Sequence, residues 1–137
     1  MAVIIGIYFT YPSASVGEVL IIANSNLPGD SISREDIKDI FIGNKTTWQN
    51  EQITFVIQDE GETHKEFLQN YVKRTPAQYS RFWKKQIFTG KGRKPRTFKN
   101  EEGLIEYVAG TDGAIGYIST DSVGKTGNVK VMKINGN

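Results

Sequence analysis

His64 and the carboxylates before it form a compact group of chemically active side chains. Asp59, Glu60 and Glu62 lie within five residues of this histidine, which is the only one in the chain. Imidazole and carboxylate groups can hold a divalent metal, or can act as acid and base near neutral pH. A metal site of this type usually has further histidine or cysteine ligands, and catalysis needs a matched nucleophile or an oxyanion hole. The sequence supplies neither, so we predict no metal, no cofactor and no catalytic residue.

A basic segment follows this histidine. Eleven of the 17 Lys and Arg residues lie between positions 64 and 99, together with only one of the 15 acidic residues. Such a bias is typical of a surface that meets a polyanion or an acidic partner, although it also occurs on an ordinary solvated helix face. The cations that we predict for a polyanion or partner surface are Lys84, Lys85, Lys91, Arg93, Lys94 and Arg96.

Nucleic acid is one polyanion that these cations could contact, provided that neighbouring aromatic side chains stack on its bases. Phe82, Trp83 and Ile87 occur at helical spacing, so we expect them in the core, where they cannot stack on a ligand. The loop GKGRKPR also lacks the spacing of a nucleotide-binding phosphate loop. The basic charge is therefore the only feature of the sequence that supports nucleic-acid binding.

The first 17 residues are apolar and then small, as at the end of a secretory signal with cleavage after Gly17. This stretch is too short to span a membrane. It lacks the usual positive start, because no Lys or Arg precedes Arg34, and a buried N-terminal strand is the alternative. We predict a signal-peptide remnant at 1–17, a single domain at 18–137, and a periplasmic or secreted location. The chain has no cysteine, which excludes disulfides and thiolate metal sites.

The elements that position these groups alternate between strands and helices. Strands are predicted at 18–24, 53–58, 113–118 and 129–134, and helices are predicted after the capping residues Ser33, Thr63, Thr75 and Asn100. This alternation predicts an α/β fold with a mixed or parallel central sheet. Asn24 and Ser25 follow the first strand, and the loop from Gln58 follows the second. Ligands of open α/β sheets bind at such strand ends.

Four pieces in the same order resemble the phosphate-binding proteins of ABC importers, a branch of the type II periplasmic binding proteins. They are SREDIKDIFIGNKTTW at 33–48, and the segments 53–67, 83–95 and 113–118. The resemblance covers one of the two lobes of that family, and it implies a three-layer single lobe. It also implies solute binding without catalysis, a small anion such as phosphate as ligand, and a membrane transporter or other protein as partner. The sequence leaves open whether a partner or a dimer supplies the second lobe.

In that family, the loop after the second strand carries Arg, Asp, Gly, Ser, Gly and Thr around the phosphate. Alignment on Gly61 places Gln58 at the Arg position, Glu60 at the Asp, Glu62 at the Ser, Thr63 at the second Gly and His64 at the Thr. Only the glycine is kept. The loop lacks the guanidinium that binds an oxyanion in a bidentate manner, and Glu62 adds repulsion. We therefore expect a degenerate phosphate loop that caps its own helix.

The sequence thus predicts an exported, non-enzymatic, solute-binding-protein-like domain. The predicted ligand-binding residues are Asn24, Ser25, Gln58, Gly61, Thr63 and His64. The alternative is a module that binds nucleic acid, another polyanion or an acidic partner through residues 65–99. Retention on a heparin-like matrix that falls steeply with salt would distinguish the second function from the first.

Overall fold

The structure is a computed structural model that describes residues 18–125 and 127–135. The predicted export signal at 1–17 lies outside these residues. The described residues form nine strands, which are β1 Val19–Asn24, β2 Ser31–Ser33, β3 Thr47–Trp48, β4 Glu51–Gln52, β5 Thr54–Gln58, β6 Arg96–Phe98, β7 Ala114–Ser119, β8 Val129–Val131 and β9 Lys133–Asn135. The helices are α1 Arg34–Phe41, α2 Glu62–Phe67, α3 Pro76–Phe88 and α4 Glu101–Gly110, with a π-helical turn at Leu68–Val72 and a 3-10 helix at Thr120–Lys125.

Five strands form the central sheet in the order β6-β5-β7-β1-β8. β5 runs parallel to both of its neighbours, β6 and β7, whereas β1 runs antiparallel to β7 and β8. The sheet is therefore mixed, which confirms the predicted fold class. Because β1 and β5 run in opposite directions, the carboxyl end of β1 lies at the end of the sheet where β5 begins.

Helices cover both faces of this sheet. On one face, Phe67 stacks on Tyr117 with ring centroids 3.9 Å apart, and Phe41 packs edge-on against both rings. On the other face, α4 buries Leu104 and Val108 against β1, β5 and β7. Gly116 permits this approach, since a Cβ there would lie 2.9 Å from a Leu104 methyl group. The result is the three-layer arrangement that the resemblance implied.

Three of the four predicted helix caps are confirmed. Ser33 accepts a hydrogen bond from the Asp36 amide at 3.0 Å, Thr75 forms a capping box with Gln78, and Asn100 accepts from the Gly103 amide at 2.8 Å. The cap at Thr63 is wrong. α2 begins at Glu62, with Gly61 as N-cap and no side-chain hydrogen bond. Gly61 has a φ of +107°, which lets the chain enter the helix before Thr63 is reached.

Two further expectations change in the structure. The predicted strand at 129–134 divides into β8 and β9, which pair with β1 and β2 respectively, around the buried Met132. The apolar stripe of α3 is buried only at Tyr79 and Trp83, because the last turn of the helix borders an open cleft. There Ile87 is 43% exposed and Phe88 is 93% exposed.

Candidate functional site

Gln58 ends β5, and its backbone and side-chain N–H donors are directed to protein partners. Its amide nitrogen Nε2 donates to the Glu101 carboxylate at 2.9 Å and to the Tyr117 carbonyl at 3.0 Å. Its backbone N–H donates to the Tyr117 hydroxyl at 2.9 Å. The position that aligns with the family's arginine therefore holds a buried amide whose donors are occupied.

Glu101 collects the donors around this strand end. Besides Gln58, its carboxylate accepts from the backbone N–H and the hydroxyl of Ser119, each at 3.0 Å, and from the Ser122 hydroxyl at 2.5 Å. It also lies in the first turn of α4, where the helix dipole favours a negative charge. The negative charge is thus stabilised by four donors and links α4, β5, β7 and the 3-10 helix. Sequence reasoning assigned no role to Glu101, because its partners are distant in the chain.

His64 is 5% exposed, and its Nδ1 lies 2.5 Å from the Tyr117 hydroxyl. Burial raises the pKa of Tyr117 well above its usual value, so the hydroxyl keeps its proton. That hydroxyl already accepts from Gln58, and its own proton is therefore donated to Nδ1 of His64. Burial lowers the pKa of His64, although the Asp59 carboxylate raises it in part. His64 is accordingly a neutral imidazole with its proton on Nε2.

A cleft of about 370 Å³ opens beside this histidine, between β5, β6 and α3. Its polar lining includes His64, Asp59, two hydroxyls and two lysines, the last four being Ser80, Thr97, Lys84 and Lys94. Its apolar lining includes Tyr79, Trp83 and Ile87. Among the described residues, neither lysine makes an ion pair, since the pairs found there join Lys45 to Asp36 and Lys130 to Asp30. The cleft therefore combines a neutral imidazole, the Ser80 hydroxyl, two positive charges and the Asp59 carboxylate, while the Thr97 hydroxyl donates to the Pro95 carbonyl at 3.1 Å.

The predicted ligand-binding residues do not lie together. Gln58 and His64 line the cleft, and Gly61 and Thr63 belong to the adjoining loop and first turn of α2. Asn24 is the last residue of β1 and Ser25 follows it, and both lie at the opposite end of the sheet from the end of β5, because β1 is antiparallel to β7.

The side chain of Asn24 stabilises the structure at that end of the sheet. Its Nδ2 donates to the carbonyls of Val108 at 2.9 Å and Ala109 at 3.1 Å, and its Oδ1 accepts from the Asn26 amide. The side chain thereby satisfies carbonyls at the end of α4, where helical partners are missing.

All six predicted surface cations are exposed. Lys84 and Lys94 line the cleft, while a second groove of about 560 Å³ is lined by Lys91, Arg93, Lys94 and Arg96. The Arg96 guanidinium lies over the Tyr107 ring, 4.9 Å from its centroid. The structure thus gathers most of the basic segment around two neighbouring depressions.

Within residues 18–125 and 127–135, no three His, Cys, Asp or Glu side chains lie close enough together to hold a metal ion. Asp59, Glu60 and Glu62 are exposed, and only His64 of that group is buried. In the same part of the chain, each helix is too short or too polar to cross a membrane.

Comparison with known proteins gives a family match and a structural likeness. Residues 9–136 match the model of a family described as the PBP superfamily domain. PstS from Borrelia burgdorferi superposes with a TM-score of 0.65 at 18% identity, covering 87% of this chain and 47% of that protein. An ABC-type phosphate transport receptor from Vibrio cholerae gives 0.58 at 17% identity, covering 93% and 53%. The chain thus spans about half the length of these structures and shares the fold of that half. None of the curated proteins compared with the chain matches it.

Proposed function

The chain belongs to the PBP superfamily domain family, and from this membership we propose that it is an exported, non-enzymatic domain that binds a small anion such as phosphate in the cleft beside His64. The observation that carries the proposal is the lining of that cleft. A neutral histidine, held with its proton on Nε2, lies with Lys84, Lys94 and the Ser80 hydroxyl around one cavity. These groups donate hydrogen bonds or supply positive charge, as an oxyanion requires.

The loop after β5 sets the expected affinity. Gln58 cannot replace a bidentate guanidinium, because both its amide donations go to Glu101 and Tyr117. Asp59 also lines the cleft and offsets one of the two lysines. We therefore expect inorganic phosphate to bind this chain alone with a Kd of about 0.1 to 1 mM, which corresponds to roughly 4 to 5.5 kcal/mol.

A second protein surface is expected to complete the site. The solved structures with this fold are about twice as long, so the chain corresponds to one part of a larger ligand-binding unit. The cleft is open on its solvent side, where Lys84 and Lys94 are exposed. Closure by a second lobe, a second copy or a transporter subunit would exclude water and strengthen each charged contact.

Isothermal calorimetry of inorganic phosphate against the full chain at low ionic strength tests the proposal. The variant Lys84→Gln/Lys94→Gln removes two charges from the cleft, and Lys85→Gln/Lys99→Gln removes the same charge outside it. Saturable binding that weakens at least fivefold in the first variant and less than twofold in the second supports the cleft. Absence of binding at 10 mM phosphate, or equal weakening in both variants, would contradict it.

The second candidate function, binding of nucleic acid or another polyanion, is favoured by one observation. Phe88 is 93% exposed at the end of α3, the helix that also carries the predicted surface cations Lys84 and Lys85. An exposed aromatic ring among unpaired cations can stack on a base while the cations contact phosphates. Retention on immobilised single-stranded DNA should then fall steeply with salt, and Arg93→Ala/Lys94→Ala/Arg96→Ala should abolish it. Unchanged retention of this variant would exclude the second function.

A further inference from the structure

A third basic depression adjoins the cleft at Pro76. It has a volume of about 470 Å³ and is lined by Lys65, Gln69, Lys73, Arg74, Thr75, Pro76 and Gln78. Pro76 is the one residue that lines both this cavity and the cleft. We name it the α2–α3 cavity, because its lining comes from α2, the π-helical turn and the start of α3.

Three cations meet in the α2–α3 cavity because of the local backbone. Lys65 belongs to α2, while Lys73 and Arg74 follow the π-helical turn. Lys73 has a left-handed backbone with a φ of +64°, and the amides of Lys73 and Arg74 both donate to the Leu68 carbonyl. No Asp or Glu belongs to the lining, and none of the three cations has an ion-pair partner among the described residues.

Arg74 gives an independent indication of a ligand. Its guanidinium lies over the Phe82 ring, 4.7 Å from the centroid, so its position is fixed by packing. Its Nη1 is buried and has no hydrogen-bond partner within the described part of the chain. A buried donor without an acceptor is costly, so a small rotation of the guanidinium that brings Nη1 to a ligand oxygen in the cavity would recover a hydrogen bond.

The size and polarity of the cavity indicate the class of ligand. A volume of about 470 Å³ is that of a small-molecule pocket and greatly exceeds one inorganic phosphate. In the capping box, Oε1 of Gln78 accepts from the Thr75 amide, which leaves its Nε2 available to donate. Gln69 adds a second exposed amide. We propose that the α2–α3 cavity binds a phosphomonoester of a small polyol or sugar, with the phosphate on Lys65, Lys73 and Arg74 and the hydroxyls on the two amides.

The test titrates glucose 6-phosphate into the full chain, with glucose and inorganic phosphate as separate titrants. In Lys65→Gln/Lys73→Asn, two cations are removed and an asparagine tolerates the left-handed backbone at position 73. Arg74→Lys keeps the charge but removes the planar fork. The matched control is the cleft variant Lys84→Gln/Lys94→Gln, which loses the same charge. Thermal unfolding of each variant confirms that it is folded.

We expect glucose 6-phosphate to bind saturably, and glucose not to bind. Lys65→Gln/Lys73→Asn should weaken glucose 6-phosphate at least tenfold and Arg74→Lys at least threefold, while the cleft variant stays within twofold. Inorganic phosphate should respond mainly to the cleft variant, so a failure of the cleft is visible separately. Absence of saturable glucose 6-phosphate binding, or loss of that binding in the cleft variant instead, would overturn the proposal.

Discussion

The buried end of β5 and the surface of α3 use polar side chains in opposite ways. At the end of β5, the side chain of Gln58 is satisfied by Glu101 and Tyr117. On and beside α3, Lys84 and Lys94 are exposed and have no ion pair within the described residues. A cation without a partner can gain a favourable interaction with an anion. A donor that is already hydrogen-bonded within the protein gains little from the same anion. The strand end therefore holds the framework together, while the neighbouring surface keeps the charges on which the proposed anion site depends.

The largest expected effect comes from Glu101→Ala, which removes the acceptor of four hydrogen bonds. The buried donor of Gln58 and the half-buried donors of Ser119 would lose a partner, so we expect the free energy of unfolding to fall by about 2 to 3 kcal/mol. Urea unfolding measures this change. Glu102→Ala is the matched control, because Glu102 is exposed in the same first turn of α4 and shares the dipole contribution. Equal losses in both variants would show that the network adds nothing beyond the helix dipole.

Tyr117→Phe removes the hydroxyl that links Gln58 to His64 but keeps the ring stacked on Phe67. The backbone N–H of Gln58 then lacks its acceptor. We expect the free energy of unfolding, measured in urea, to fall by about 1 to 2 kcal/mol. Tyr107→Phe serves as control, since that ring is only half-buried and packs against Phe98. A smaller loss for Tyr117 than for Tyr107 would contradict the role of the hydroxyl.

His64 makes the stability of the buried strand end depend on pH. Burial lowers its pKa in the folded protein below the usual 6.5, so the unfolded chain binds more protons between the two pKa values. The stability contributed by the neutral imidazole is therefore complete above about pH 6.5 and is lost as the pH falls toward the lowered value. Because the chain has one histidine, His64→Gln should flatten the pH dependence of unfolding between pH 7 and 5. An unchanged slope in this variant would exclude His64 as the titrating group.

Local patterns predicted the helix starts well. The caps at Ser33, Thr75 and Asn100 depend on residues three positions apart, and each forms as expected. The predicted cap at Thr63 is wrong, because Gly61 adopts a positive φ and becomes the N-cap, so that α2 begins before Thr63. Only the backbone shows that α2 begins at Glu62.

Long-range geometry limited the prediction of the site. The sequence placed Asn24 at a strand end, but whether that end meets the loop after β5 depends on strand direction, which a single sequence does not encode locally. Glu101 and Tyr117 are 43 and 59 residues from Gln58, so no local spacing marks them as its partners. The family resemblance predicted the lobe and aligned Gln58 with the arginine position, but the partners that occupy the Gln58 side chain are visible only in the structure.

Phe88→Ser is expected to have the smallest effect on stability, within about 0.5 kcal/mol, because the ring is 93% exposed. Its effect on ligands tests what the α3 surface does. If bases stack on Phe88, retention on single-stranded DNA should fall, since one stacked base contributes about 1 to 3 kcal/mol. If Arg93→Ala/Lys94→Ala/Arg96→Ala abolishes retention and Phe88→Ser leaves it intact, the surface attracts polyanions by charge alone. A loss of more than about 1 kcal/mol in urea unfolding would instead show that Phe88 packs against the protein, and the contrast between the buried strand end and an unpartnered α3 surface would no longer hold.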